Sequence, residues 1–353
     1  MQPVADFTAA EIAAAQARLA PHLLRTPVLP LHGERLVARL APGTEVTFKL
    51  ELFQRTGSFK PRGALTNVLA LEPSALARGI TAVSAGNHAI AAAFAARVVG
   101  TSARVFMIQT ANALRVERAR SLGAEVIMAG NAHQAFAQAE ELVRREGRAM
   151  VHPFEGRNTA LGTATLGAEF LQQTPDLHAV IVPIGGGGLC AGVAAAVKIL
   201  RPGCQVFGVE PVGADSMRRS FAAGSPQSIE KIATIADSLG APYAMPITFG
   251  LCRRYVDELV LVTDDQIREL ARRDGANPVL TANSVGPAHR VRMQRLFRSQ
   301  RFVLLTQVRA VHRVTDHRSV HANPGIEVRD VGIRRASQGH TRVQVGAHRH
   351  GPA

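Results

Sequence analysis

Tryptophan is absent from the 353 residues and tyrosine occurs only twice. No basic segment interleaved with aromatics is available to stack on the bases of a single-stranded nucleic acid. Cysteine is scarce too: Cys190, Cys204 and Cys252 are an odd set without a Cys-x-x-Cys pair. That argues against a disulfide framework and fits a reducing cytoplasm. The N-terminus, Met-Gln-Pro-Val-Ala-Asp-Phe-Thr, lacks a basic start and a continuous apolar stretch, so no secretory leader is expected. The longest uncharged run, Ala179 to Val197, is interrupted by Pro183 and by Gly185 to Gly188. It reads as strand, loop and helix rather than as a membrane span.

Lysine is missing from one whole region. Residues 271–353 hold fifteen Arg, no Lys and four acids, so +11 of the net +14 lies there, together with seven of the thirteen His. The first 270 residues carry 26 basic and 23 acidic side chains and are nearly balanced. The overall basic character therefore belongs to the last quarter of the chain.

What is present is a 46% hydrophobic chain, long enough for two domains. Short apolar segments alternate with Ala-rich helical ones. A helix is expected over 10–20. Thr44 to Leu52 reads as a strand, with Val46, Phe48, Leu50 and Leu52 alternating with more polar neighbours, and Ser58 to Ala70 as a helix with Pro61 in its first turn. Strand–helix pairs follow at Thr81–Val83 and His88–Val98, at Arg104–Ile108 and Ala113–Leu122, and at Glu125–Met128 and Ala132–Glu146. A last pair, Ala179–Pro183 and Leu189–Leu200, leads into a strand at Gln205–Val209. This alternation indicates an α/β fold with parallel sheets. No secondary structure is assigned after about Leu270, where helical periodicity fades.

Three segments carry chemistry. In Glu51 to Ala64 a lysine, Lys60, follows a Gly57-Ser58 turn and begins a helix. A buried amine at a helix N-terminus has a lowered pKa, and a neutral amine is what a Schiff base requires. Most lysines at helix starts are simply solvated, so this segment alone decides nothing. The second segment, Ala179 to Leu189, runs an apolar strand through four glycines into a helix, the arrangement that cradles a phosphate on backbone N–H groups. It also supports a rival reading. Gly186-x-Gly188-x-x-Ala191, with Glu210 at the end of the next strand, satisfies a dinucleotide fingerprint and would suit an NAD-dependent dehydrogenase. The third segment, Ser84-Ala85-Gly86-Asn87-His88, joins strand to helix. It is either an ordinary N-cap or a carboxylate pocket. A lysine, a phosphate cradle and a carboxylate cradle together describe pyridoxal 5'-phosphate (PLP) and an amino acid.

With these three segments the sequence resembles the serine/threonine dehydratase family of fold-type II PLP enzymes over roughly its first 270 residues. The resemblance implies that Lys60 carries the cofactor and removes the Cα proton. It implies that Phe59 packs against the cofactor ring, that Asn87 bonds the ring hydroxyl, and that Gly185, Gly186, Gly187, Gly188 and Leu189 bind the phosphate. Ser58 and the loop Ser84, Ala85, Gly86 and His88 would hold the substrate carboxylate. The implied reaction removes the β-hydroxyl of a small hydroxy-amino acid and yields a 2-oxo acid and ammonia. Related serine racemases carry a second serine where this chain has Ala85, which has no proton to give, so elimination is expected over racemisation. The metal-binding set of some relatives is matched at Glu210 and Ala214 but not at Ser216, and no metal is expected.

The resemblance further implies a large domain of residues 1–75 and 153–270, a smaller one of 76–152, a homo-oligomer and no membrane. The family's final segment, a Ser-Gly-Gly-Asn-like turn included, is not found. Residues 271–353 instead resemble out-of-frame translation of GC-rich DNA. The chain is then expected either to end in a frameshift product that impairs it or, if the tail is genuine, to carry a basic appendage for nucleic acid or an acidic partner.

Overall fold

A computed structural model describes residues 6–30, 45–273 and 305–309 of the chain. The first helix, α1 (Ala9–Leu19), begins with a capping box: the Thr8 hydroxyl accepts from the Glu11 N–H, and the Glu11 carboxylate accepts from the Thr8 N–H. Short strands β1 (Val28–Pro30) and β2 (Glu45–Lys49) lead to α2 (Lys60–Val68) and α3 (Pro73–Arg78). Then come β3 (Ile80–Val83), α4 (Asn87–Val99), β4 (Ala103–Ile108), α5 (Ala113–Ser121), β5 (Glu125–Ala129), α6 (Ala132–Glu146) and β6 (Ala149–Met150). Asparagine side chains cap α5 and α6, where Asn112 accepts from Leu114 N and Asn131 from Gln134 N. Left-handed Gly100 and Gly147 end α4 and α6.

The second half continues with α7 (Arg157–Gln173), β7 (Ala179–Pro183), α8 (Gly188–Leu200), β8 (Gln205–Pro211), α9 (Ser216–Ala223), α10 (Pro246–Tyr255), β9 (Glu258–Val262) and α11 (Asp264–Arg273). Strand β10 (Leu305–Arg309) follows.

The strands form two sheets. The smaller, in the order β5-β4-β3-β6, is parallel throughout, and all of it lies within residues 80–150. The larger, in the order β1-β2-β10-β7-β8-β9, departs from the expectation of a parallel sheet. Only β7, β8 and β9 run parallel, whereas β1 pairs antiparallel with β2 and β10 is antiparallel to both its neighbours. The physical reason is connectivity: β7 and β8 are joined through a helix, the crossover a parallel pair needs, whereas β10 enters from a distant stretch of chain. β10 also corrects the expectation that the Arg-rich region carries no assignable structure. Residues 274–304 and 310–353, on which the frameshift and nucleic-acid expectations fall, lie outside the described residues.

Among the described residues a small apolar cluster joins α6 to the smaller sheet through Val83, Phe106, Ala135 and Leu142, and two larger cores stand beside it. One packs α7 and α8 against β7 and β8. The other packs α2 and α4 on the smaller sheet, where Ala89, Ala91, Ala92, Ala93, Ala95 and Ala96 are all buried. Helices α7 and α8 approach very closely: a Cβ on Gly192 would stand 2.1 Å from the Ala160 carbonyl oxygen. A Cβ on Gly162 would meet the Arg62 carbonyl oxygen at 2.4 Å, so α7 is equally tight against α2. Among the described residues no helix is long and apolar enough to cross a membrane.

Candidate active site

Lys60 is the first residue of α2, and the local sequence places it there. Pro61 has no N–H to leave unpaired in a first turn, and Gly57 adopts the left-handed conformation (φ 78°) that turns the chain into the helix. The helix is fixed from behind by Arg62. Its guanidinium donates to both oxygens of Glu51, at 2.8 Å each, and to Glu169 at 3.0 Å. The same Glu169 accepts from buried Lys49 at 2.5 Å. These charges are out of water and satisfied by one another.

Lys60 faces the other way, into a cavity of about 1090 Å³. Its Nζ donates to the Pro153 carbonyl oxygen at 2.5 Å and lies 5.1 Å from the centre of the Phe59 ring. Desolvation pushes its pKa down to about 8, and no carboxylate among the described residues pulls it back. The same cavity wall includes Phe59, Ser84 to His88 and Gly185 to Leu189, so the three segments singled out in the sequence meet at one place. Ser58 does not line the wall. It is buried, and its Oγ has no hydrogen-bond partner among the described residues.

The tetraglycine turn passes between β7 and the start of α8. Gly187 has a φ of +90°, which a side chain would strain. A Cβ on Gly186 would sit 2.2 Å from the Phe154 ring, and one on Gly188 would meet the Phe154 carbonyl oxygen at 2.4 Å. Bare backbone is therefore all that fits beside Phe154. The first N–H groups of α8, which have no partner within the helix, are left for an anion.

The Ser84–His88 turn sits at the start of α4. Ser84 Oγ accepts from the Gly86 N–H at 3.0 Å, and Gly86 is an N-cap without a side chain. The His88 ring is turned away from the turn's backbone. Its Nε2 contacts the Val151 carbonyl oxygen at 2.8 Å, and because a carbonyl only accepts, that nitrogen carries the proton. Burial and the charge of Lys60 push its pKa down to about 3. The ring is neutral and its remaining nitrogen is an acceptor, which repels a carboxylate; only the backbone N–H of His88 can serve that anion.

Glu210, the acid the dinucleotide reading needs, is fully buried and caps α9. Its carboxylate accepts from Met217 N at 2.9 Å and Arg218 N at 2.8 Å. Burial pushes its pKa up to about 7. The carboxylate is engaged with that helix and is closed off from a ribose.

Sequence reasoning missed part of the wall. His152 and Phe154 flank Pro153 just after β6, and their rings meet edge to face at 4.6 Å. Phe136 and Tyr243 extend this aromatic row on either side, with centroids at 6.0 Å from His152 and 5.8 Å from Phe154. His152 Nδ1 accepts from the Glu155 N–H at 2.9 Å, and burial, helped by the charge of Lys60, pushes its pKa down to about 4. Arg115, in the first turn of α5, also lines the cavity. The His-Pro-Phe sequence was the available signal for the first two; nothing in the sequence marks Arg115.

The residues present fit PLP: a desolvated amine, a helix N-terminus whose glycines leave no room for side chains, and aromatic rings between them. A family model described as pyridoxal-phosphate dependent enzyme matches residues 19–279. The chain belongs to this family. Among its relatives, phenylserine dehydratase of Ralstonia pickettii is 51% identical over 261 residues, 74% of this chain and 79% of that protein. Two solved structures are also similar. A threonine deaminase from T.th. has a TM-score of 0.71 at 36% identity, covering 82% of this chain and 94% of that one. Maize serine racemase has a TM-score of 0.71 at 34% identity, covering 76% and 80%. Membership fixes PLP as the cofactor and α/β fold-type II as the architecture.

Proposed function

We propose that the chain is a PLP-dependent dehydratase of the threonine/serine type, converting a β-hydroxy amino acid into a 2-oxo acid and ammonia. One observation carries this reading. An amine without a carboxylate partner among the described residues shares a cavity with two helix N-termini, each preceded by a turn suited to an anion. Relatives named as dehydratase and deaminase support it.

In this reading Gly185 to Leu189 hold the phosphate through backbone N–H groups, while Phe59 and Asn87 contact the cofactor ring. When bound, PLP supplies an electron sink for bonds broken at Cα. Lys60 Nζ, whose pKa desolvation lowers to about 8, is the atom placed to take the Cα proton. Ser84 and the turn's N–H groups orient the carboxylate. Loss of the β-hydroxyl with a proton gives water, and the released enamine tautomerises and is hydrolysed to the 2-oxo acid and ammonia. Residues 76–152 form a smaller domain that closes on 1–75 and 153–270 to exclude water. Ala85 offers no proton to the opposite face of Cα, which favours elimination over racemisation.

The aromatic row Phe136–His152–Phe154–Tyr243 gives room and surface for an aryl group, so phenylserine is a substrate candidate beside serine and threonine. Incubating PLP-loaded protein with each and measuring 2-oxo acid and ammonia tests the proposal. Equal amounts of both products from at least one are expected. A protein that holds PLP yet releases 2-oxo acid from none of the three overturns it.

A further inference from the structure

Two arginines are buried among the described residues, and they differ in one respect. Arg62 is neutralised by Glu51 and Glu169. Arg115 is only 9% exposed, its Nη2 is buried without a hydrogen-bond partner, and no carboxylate among the described residues pairs with it. A cation kept out of water without a counter-charge is costly to the fold unless something negative arrives.

Its position says where that anion would sit. Arg115 lines the Lys60 cavity, and its Nη1 lies 3.1 Å from the place a Cβ on Gly86 would occupy. Gly86 is the N-cap of α4, so the guanidinium and the positive end of that helix converge on the same turn. Because neutral His88 is turned to Val151, its ring supplies no positive charge there. An amino acid whose amine is at Lys60 carries one anion common to every substrate of this class, its α-carboxylate.

We infer that Arg115 binds the substrate α-carboxylate, sharing it with the backbone N–H groups of the Ser84–His88 turn. This rests on the proposal that an amino acid enters the cavity. It adds a residue that discriminates carboxylates from neutral groups, because a planar fork of donors matches a carboxylate and gains nothing comparable from an amide.

The experiment compares alanine, which has no β-hydroxyl to lose, with alaninamide, in which the carboxylate is neutral. Binding of each to the PLP-loaded protein is read from the cofactor absorbance, in wild type, Arg115→Gln and Arg115→Lys. The preference for alanine over alaninamide is expected to fall about tenfold or more in Arg115→Gln, and by less in Arg115→Lys. A preference unchanged within about twofold in Arg115→Gln overturns the inference. If Arg115→Gln does not fold, Arg115→Lys decides: a drop of about threefold or more supports the inference and an unchanged ratio overturns it. Because alanine cannot be dehydrated, this result is independent of turnover. An Arg115-dependent preference in a protein inactive on all hydroxy-amino acids would sink the dehydratase reading alone. A normal dehydratase with an Arg115-independent preference would sink the inference alone.

Discussion

Lys49 and Lys60 lie eleven positions apart, and desolvation lowers the pKa of both amines, although Lys49 is fully buried and Lys60, on the cavity wall, is half-buried. Lys49 Nζ donates to Glu169 at 2.5 Å, to the Thr26 carbonyl oxygen at 2.6 Å and to Gln173 at 2.8 Å, which uses all three of its donors. Burial lowers its pKa, and Glu169 acts against that shift. Among the described residues Lys60 has a carbonyl for company and no carboxylate, so desolvation acts unopposed. Burial alone therefore does not make a lysine reactive. Burial with a partner holds the fold together, and desolvation without one gives the amine a lowered pKa, as a nucleophile or base requires.

The largest expected separation between the two comes from truncating each system. Lys60→Ala should reduce 2-oxo acid formation by about 10⁴-fold. Stability should change by no more than about 1 kcal/mol in urea unfolding, since a single hydrogen bond to Pro153 is lost. Glu169→Ala should show the reverse profile. It strips Lys49 of its counter-charge and Arg62 of one of two, and should cost about 3–5 kcal/mol in the same urea experiment. A stable Glu169→Ala protein, or a Lys60→Ala protein that unfolds readily, would break the comparison.

Smaller effects sharpen it. His152 is neutral in the fold, with a pKa of about 4 against 6.5 for a free imidazole. The unfolded chain therefore binds its proton first as pH falls. The stabilisation is complete above pH 6.5 and is lost progressively down to about pH 4. His152→Gln should flatten the stability–pH curve in that window by about one proton, ~1.4 kcal/mol per pH unit. Equal slopes for wild type and variant would place the histidine's titration elsewhere. The smallest effect is on labelling of cofactor-free protein with a carbonyl reagent and borohydride, followed by peptide mass spectrometry. Modification of Lys60 should rise with a midpoint near pH 8, as the amine loses its proton, while Lys49 stays unmodified.

The legible parts of the sequence were those with local signals. α6 runs from Ala132 to Glu146 as its periodicity predicts, because one face is buried and the other is wet. The strand–turn–helix junctions at Gly86 and at Gly185 to Gly188 were readable because glycine there answers a local demand. α7 was not predicted. Thirteen of its seventeen residues are buried, so no polar face betrays a helical period. Arg115 was invisible for a different reason. Between Leu114 and Val116 it looks like any helix arginine, and only the tertiary approach of Gly86 removes its water. The antiparallel pairing of β10 likewise depends on contacts across more than a hundred residues.

The glycine contacts that lock α2, α7 and α8 have a consequence for how this protein can change over generations. Helix α2 carries the reactive lysine, and it is wedged against α7 with less space than one methyl group at Gly162; α7 is wedged equally tightly against α8, the helix of the tetraglycine turn, at Gly192. The aromatic row can drift, ring for ring, and alter which side chains the cavity admits. The wedge has no such latitude, since any larger residue would shift the amine and the phosphate turn relative to each other. New substrate preferences should therefore arise by altering the far wall of the cavity while this three-helix joint stays frozen.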